Sequence, residues 1–141
     1  SGVWIPQKGS DDGAADVRIT GSIVEEFNVV ENQELPAGEI YTYLGPPVDK
    51  KGASLGLLIT LENRIEFSVQ ISWRTFRGNF AGWEEVAAGS GRRIHVRVNK
   101  RAAKYRVRIE NKNPPDGLDT MIEEFSITEF AAGGETDVFL G

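Results

Sequence analysis

The chain has 141 residues, enough for one domain with a real core, and carries 21 acidic against 16 basic side chains, a net charge of −5. It has no cysteine and a single histidine, which excludes disulfides, thiolate chemistry and any multi-histidine metal site. No apolar run approaches the roughly 20 residues of a membrane-spanning helix, so no membrane partner is expected.

Residues 3–16 read as a lead-in. Trp4, Ile5 and Pro6 form a small apolar patch suited to attachment, followed by a Gly- and Asp-rich segment. Ser10 to Asp16 lacks the alternating oxygen ligands and distal Glu of a calcium loop, so no metal is expected there. Val17–Gly21 and Ile23–Val30 are candidate strands, and Pro36-Ala37-Gly38 supplies turn chemistry. Glu39–Leu44 alternates again and ends at Gly45-Pro46-Pro47, since two prolines cannot continue a ladder.

The clearest stretch is Ile65–Arg74. Ile65, Phe67, Val69, Ile71 and Trp73 fall on one face, and Glu66, Ser68, Gln70, Ser72 and Arg74 on the other. A period of two over that length indicates a half-buried strand. Leu55–Leu61 before it is apolar, and Glu62-Asn63-Arg64 predicts a turn that pairs the two as a hairpin. Thr75–Gly91 reads as a long glycine- and aromatic-bearing connection. Ile94–Val98 and Tyr105–Ile109 alternate cleanly and, joined by 99–104, predict a second hairpin. Met121–Phe130 is the last strong strand, and its imperfect parity predicts a bulge near Glu123-Glu124. No window carries helical periodicity.

The expected fold is therefore all-β: an antiparallel β-sandwich of roughly eight strands, jelly-roll or immunoglobulin-like. The expected organisation is an attachment segment 1–16, the sandwich over 17–130 and a C-terminal tail 131–141.

Three constellations could carry function. Enzymatic motifs are missing: there is no Gly-x-Ser-x-Gly, no phosphate-cradling glycine loop and no His-Glu-x-x-His. His95 lies between Arg93 and Arg97 on a polar strand face, where a solvated side chain is the plain reading. The adjacent carboxylates Glu84-Glu85 and Glu123-Glu124 point to opposite faces, so neither makes an acid–base pair. No catalytic residue and no cofactor is expected.

The basic stretch 92–108 contains no acid. In the expected hairpin, Arg93, His95, Arg97, Arg106 and Arg108 form a candidate face for an anionic polymer such as teichoic acid, an acidic polysaccharide or nucleic acid. Cross-strand ion pairing with the acids of neighbouring strands is the plainer alternative. Nucleic acid is disfavoured, because no stacking aromatics interleave these arginines. The loop after Trp73 places Phe76, Arg77, Asn79, Phe80 and Trp83 together, as a sugar platform requires: rings for stacking, polar groups for hydroxyls. Alternatively these rings fold back to plug the sandwich end, or serve an assembly interface.

Trp4-Ile5-Pro6-Gln7-Lys8 leads through an Asp-Gly segment into Ala15-Asp16-Val17-Arg18-Ile19-Thr20-Gly21-Ser22. This resembles the opening of small structural proteins of tailed phages and prophages of Bacillus-type hosts. Ile71-Ser72-Trp73 with Gly82-Trp83-Glu84 resembles the middle of such modules. The resemblance implies a non-catalytic virion component, such as a head fibre, decoration or tail-accessory protein, located on the virion or outside the cell. Its partners would be other virion proteins or itself, as an oligomer, and a cell-surface glycan. Tyr105–Ile109 with Ile122–Ile127 is similar to the last two strands of jelly-roll carbohydrate-binding modules, which makes such a module the alternative. An accessory domain of a secreted hydrolase is a third reading.

Overall fold

A computed structural model describes residues 23–46, 52–75, 77–133 and 137–141. The chain is all-β and antiparallel, as expected, and the described residues contain no helix. The strands in chain order are β1 (Ile23–Leu35), β2 (Ile40–Tyr43), β3 (Ser54–Trp73), β4 (Glu84–Asn99), β5 (Tyr105–Asn111), β6 (Thr120–Phe130) and β7 (Asp137–Leu140). One sheet runs β1-β6-β3-β4-β7. Beside the second half of β3, β5 takes the place of β6, and β2 pairs with β5.

Strand β3 is the spine. Its inward residues Leu55, Leu57, Ile59, Leu61, Ile65, Phe67, Val69, Ile71 and Trp73 are all buried. All have odd numbers, so one face of the strand looks at the core from end to end. A straight strand of 20 residues would reach about 66 Å, far beyond a domain of this length with a radius of gyration near 14 Å. The strand must bend to keep its apolar face covered.

The bend falls on the polar residues 62–64. Thr60 pairs with Arg93 of β4 and Ile65 with Gly91, so Leu61–Arg64 bulge out opposite Arg92 alone. On the other edge Thr60 pairs with Glu124 and Leu61 with Ile122, leaving Glu123 as the extra residue. The bulge expected at Glu123-Glu124 is therefore present. Strand β1 crosses the same level at Asn32, whose φ is 54°. Bulges bend the strands that carry them, and these line up into one crease across the sheet.

Side chains satisfy the backbone groups that the crease frees. Arg92 Nε donates to the Leu61 carbonyl at 2.8 Å, and its guanidinium lies 3.7 Å from the Glu123 carboxylate. The Thr120 hydroxyl accepts from the Asn63 N–H at 3.0 Å. Buried Asn111 donates to the carbonyls of Leu35 at 3.1 Å and Leu118 at 3.2 Å. It thereby ties the turn after β1 to the loop between β5 and β6.

Folding along the crease gives two layers. The first holds β1, β6, the start of β3, the end of β4, and β7. The second holds β2, β5, the end of β3 and the start of β4. Their inner faces meet across the core, where Tyr43 sets its ring edge-on to Phe125 at 6.4 Å and Tyr105 reaches Glu129.

Both expected hairpins are corrected. Leu55–Leu61 and Ile65–Arg74 are successive halves of one bent strand. The inward parity runs unbroken across 62–64, so those polar residues mark a crease and not a reversal. Ile94–Val98 and Tyr105–Ile109 do not pair with each other. The former pairs with the start of β3 and with β7, the latter with the end of β3 and with β2. The long connection also shortens, because strand resumes at Glu84. Its first half is rich in Ala and Gly, so it lacks large alternating side chains; at Gly91 the small residue suits close packing. A Cβ on Gly91 would sit 3.4 Å from the Phe67 ring. The tail 131–141 carries the edge strand β7. The expected strand Val17–Gly21 lies outside the described residues.

Candidate functional site

The end of β3 delivers Trp73 to the core, 7% exposed, as its parity predicts. The chain then leaves the sheet at Arg74 and forms a tight loop. Arg74 and Phe80 make an isolated bridge, Ala81 N–H donates to the Trp73 carbonyl at 2.9 Å, and Gly78 N–H donates to the Thr75 carbonyl at 2.9 Å. Gly78 turns the loop with φ 89°, a left-handed conformation that suits glycine. Arg77 and Asn79 are exposed on this loop, whereas Phe76 lies outside the described residues.

Phe80 and Trp83 do fold back, but onto the outer face of β5 and not into the open end. There they meet arginines placed by strand parity. In β5 the residues Tyr105, Val107 and Ile109 point inward, so Arg106 and Arg108 point outward. The Arg106 guanidinium lies 4.0 Å from the centre of the Phe80 ring and 5.3 Å from that of Trp83. The Arg108 guanidinium lies 4.3 Å from the Trp83 ring. The result is a ladder, Phe80–Arg106–Trp83–Arg108, of alternating rings and cations.

Hydrogen bonds lock its lower end. Arg108 Nε donates to Gln70 Oε1 at 2.6 Å, Gln70 Nε2 donates to Ser68 Oγ at 2.9 Å, and Ser68 donates to the Glu85 carboxylate. Each cation–ring contact contributes about 0.5–2 kcal/mol, depending on how dry it is. Arg106 Nε is buried with no hydrogen-bond partner, which costs stability on the order of 1–3 kcal/mol. Among the described residues, no carboxylate forms an ion pair with Arg74, Arg77, Arg106 or Arg108. An acidic protein thus concentrates unpaired positive charge and aromatic surface at one end of its second layer.

The expected five-residue anionic-polymer face is divided by the corrected pairing. Arg106 and Arg108 join the loop aromatics. Arg93, His95 and Arg97 lie on the outer face of the first layer, across the sandwich. Arg93 and His95 are exposed there, and the His95 ring stands 5.9 Å from that of Phe139. Arg97 covers the Phe130 ring at 3.8 Å and donates to Ser54 Oγ from Nε at 3.2 Å. The attachment candidates Trp4, Ile5 and Pro6 lie outside the described residues.

Ion pairing accounts for part of the basic stretch. Arg92 meets Glu123, Arg101 lies 3.1 Å from Glu84, and Lys100 lies 2.8 Å from Glu129. The last pair is buried, and nothing in the residue types alone singles out Glu129 among the acids of neighbouring strands. Its parity with Phe125 and Ile127, past the bulge, was the signal that it points inward. Its second oxygen accepts from Tyr105 OH at 2.8 Å, and both oxygens are thus satisfied. Burial first, then the Glu129 carboxylate, pushes the Tyr105 hydroxyl above its ordinary range. This closed triad holds the two layers together at the end opposite the crease. Among the described residues, no group of three acid, His or Cys side chains could hold a metal ion.

Compared with protein families, curated proteins and solved structures, the chain matches none.

Proposed function

We propose that this chain is a non-catalytic surface-recognition module that binds an anionic polysaccharide through the Phe80–Arg106–Trp83–Arg108 ladder. The observation that carries the reading is the ladder itself: stacked guanidiniums with no carboxylate partner, beside rings able to stack on sugar. Arg106 and Arg108 are held in place before any ligand arrives, which lowers the entropy lost on binding. Exposed Arg77 and Asn79 extend the same surface.

The resemblance of residues 4–22 and 71–84 supports a setting for this activity: an accessory protein of a virion that meets a host cell surface. The carbohydrate-binding module is the same activity in another setting. Native affinity electrophoresis in gels containing polygalacturonate, a polyglycerol phosphate or neutral dextran tests the shared core. Stronger retardation by either polyanion than by dextran is expected. Equal mobility in all three gels overturns the reading. Light scattering tests the setting: an oligomer supports the virion reading, and a monomer that binds glycan favours the free-standing module.

A further inference from the structure

The outer face of the first layer, across the sandwich from the ladder, carries a trough of about 420 Å3. Strand register builds it. Arg97 stands opposite Asp137 and His95 opposite Phe139, and all four share the outward parity of β4 and β7. Its floor is Gly56, between β4 and β6. The absence of a side chain there gives Phe130 room, since an added Cβ would come within 3.0 Å of that ring.

The groups that converge on the trough differ from those of the ladder. Phe139 is 65% exposed, leaving most of its ring available. Asp137 supplies an acceptor, His95 and Arg97 supply donors, and Arg97 is held by stacking on Phe130 and by bonding to Ser54. A purely apolar ligand would leave Asp137 and His95 without partners, and the Asp137 carboxylate opposes a polyanion. A neutral pyranose satisfies both demands, with an apolar C–H face for the ring and hydroxyls that donate to a carboxylate and accept from a guanidinium.

We propose that this trough is a second binding site, for a neutral sugar, with Phe139 as platform and Asp137, His95 and Arg97 as hydroxyl partners. It does not depend on the ladder; together with the ladder reading it gives the module two opposed glycan surfaces of different charge preference.

Saturation-transfer NMR with cellotetraose, xylotetraose and chitotetraose tests it. At least one sugar should receive saturation from the wild type. The signal should vanish in Phe139→Ala, and the affinity should fall at least tenfold in Asp137→Asn. Trp83→Ala should retain it. Circular dichroism verifies that all three variants are folded, and retained polyanion retardation verifies it again for Phe139→Ala and Asp137→Asn. No transfer to any of the three sugars overturns the proposal, as does a signal lost in Trp83→Ala but kept in Phe139→Ala. Neutral-sugar binding without polyanion retardation sinks the ladder reading and leaves this site standing.

Discussion

Tyr105 is fully buried, yet its hydroxyl ends on a carboxylate that a buried lysine also holds. Such a triad is stable only while all three members keep their partners. Lys100→Met strands Glu129 without its cation and is expected to cost about 3–5 kcal/mol, read by urea denaturation. A shift below about 1 kcal/mol would contradict the triad's role. The tyrosines add a pH dependence. Burial of Tyr43, then its neighbours Tyr41, Glu129 and Glu25, pushes its hydroxyl up to about 12, and Tyr105 is also raised. A raised folded-state value favours the protonated form. The stability it confers is complete below the unfolded tyrosine value near 10 and is lost as pH rises through the folded value. Thermal melts should therefore show stability falling from about pH 10 upward. Tyr105→Phe should flatten that fall. Gly45 is a third test: its φ is 97°, and a Cβ there would collide with the Tyr105 carbonyl oxygen, so Gly45→Ala should destabilise strongly. At this scale the inward residues of β3 were legible, because alternation alone assigns them. Glu129 was not, because its face depends on a bulge whose position parity suggests only approximately.

At the level of elements, the crease decides the architecture. Strands β1, β3, β4 and β6 all deviate at one level, and the loop between β5 and β6 sits there. Asn111 joins that loop to the end of β1. Asn111→Ala should remove the buried donor to the Leu35 carbonyl, while the Leu118 carbonyl keeps that of Asn113, and cost on the order of 1–3 kcal/mol by chemical denaturation. A cost within error of zero would show that the crease is held by packing alone. Most strands were visible in the sequence because each local period reports burial of one face. Their pairing was not. Glu62-Asn63-Arg64 and residues 99–104 both look like turn chemistry, and a local signal cannot tell a bend within a strand from a reversal between strands. That distinction rests on long-range covering of the β3 face.

For the whole molecule, the pairing error had a functional consequence. Placing 94–98 beside 105–109 gathers Arg93, His95, Arg97, Arg106 and Arg108 on one surface. The folded sheet sends Arg106 and Arg108 to the loop aromatics and Arg93, His95 and Arg97 to the opposite side. Phe80 and Trp83 could be singled out from residue type alone, but their arginine partners could not, because the contact links residues brought together only by β5 pairing with β3. The ladder reading also makes an electrostatic prediction: polyanion affinity should fall as salt rises, since part of the surface is solvent-screened. Neutral-sugar binding at the trough should be far less sensitive. The most direct test of the central claim is calorimetric titration of polygalacturonate into wild type and Arg108→Gln at low salt. The account predicts measurable wild-type binding and a loss of about tenfold to a hundredfold in the variant, the scale of removing one central contact. Undiminished binding by the folded variant, or no binding by the wild type, would contradict it.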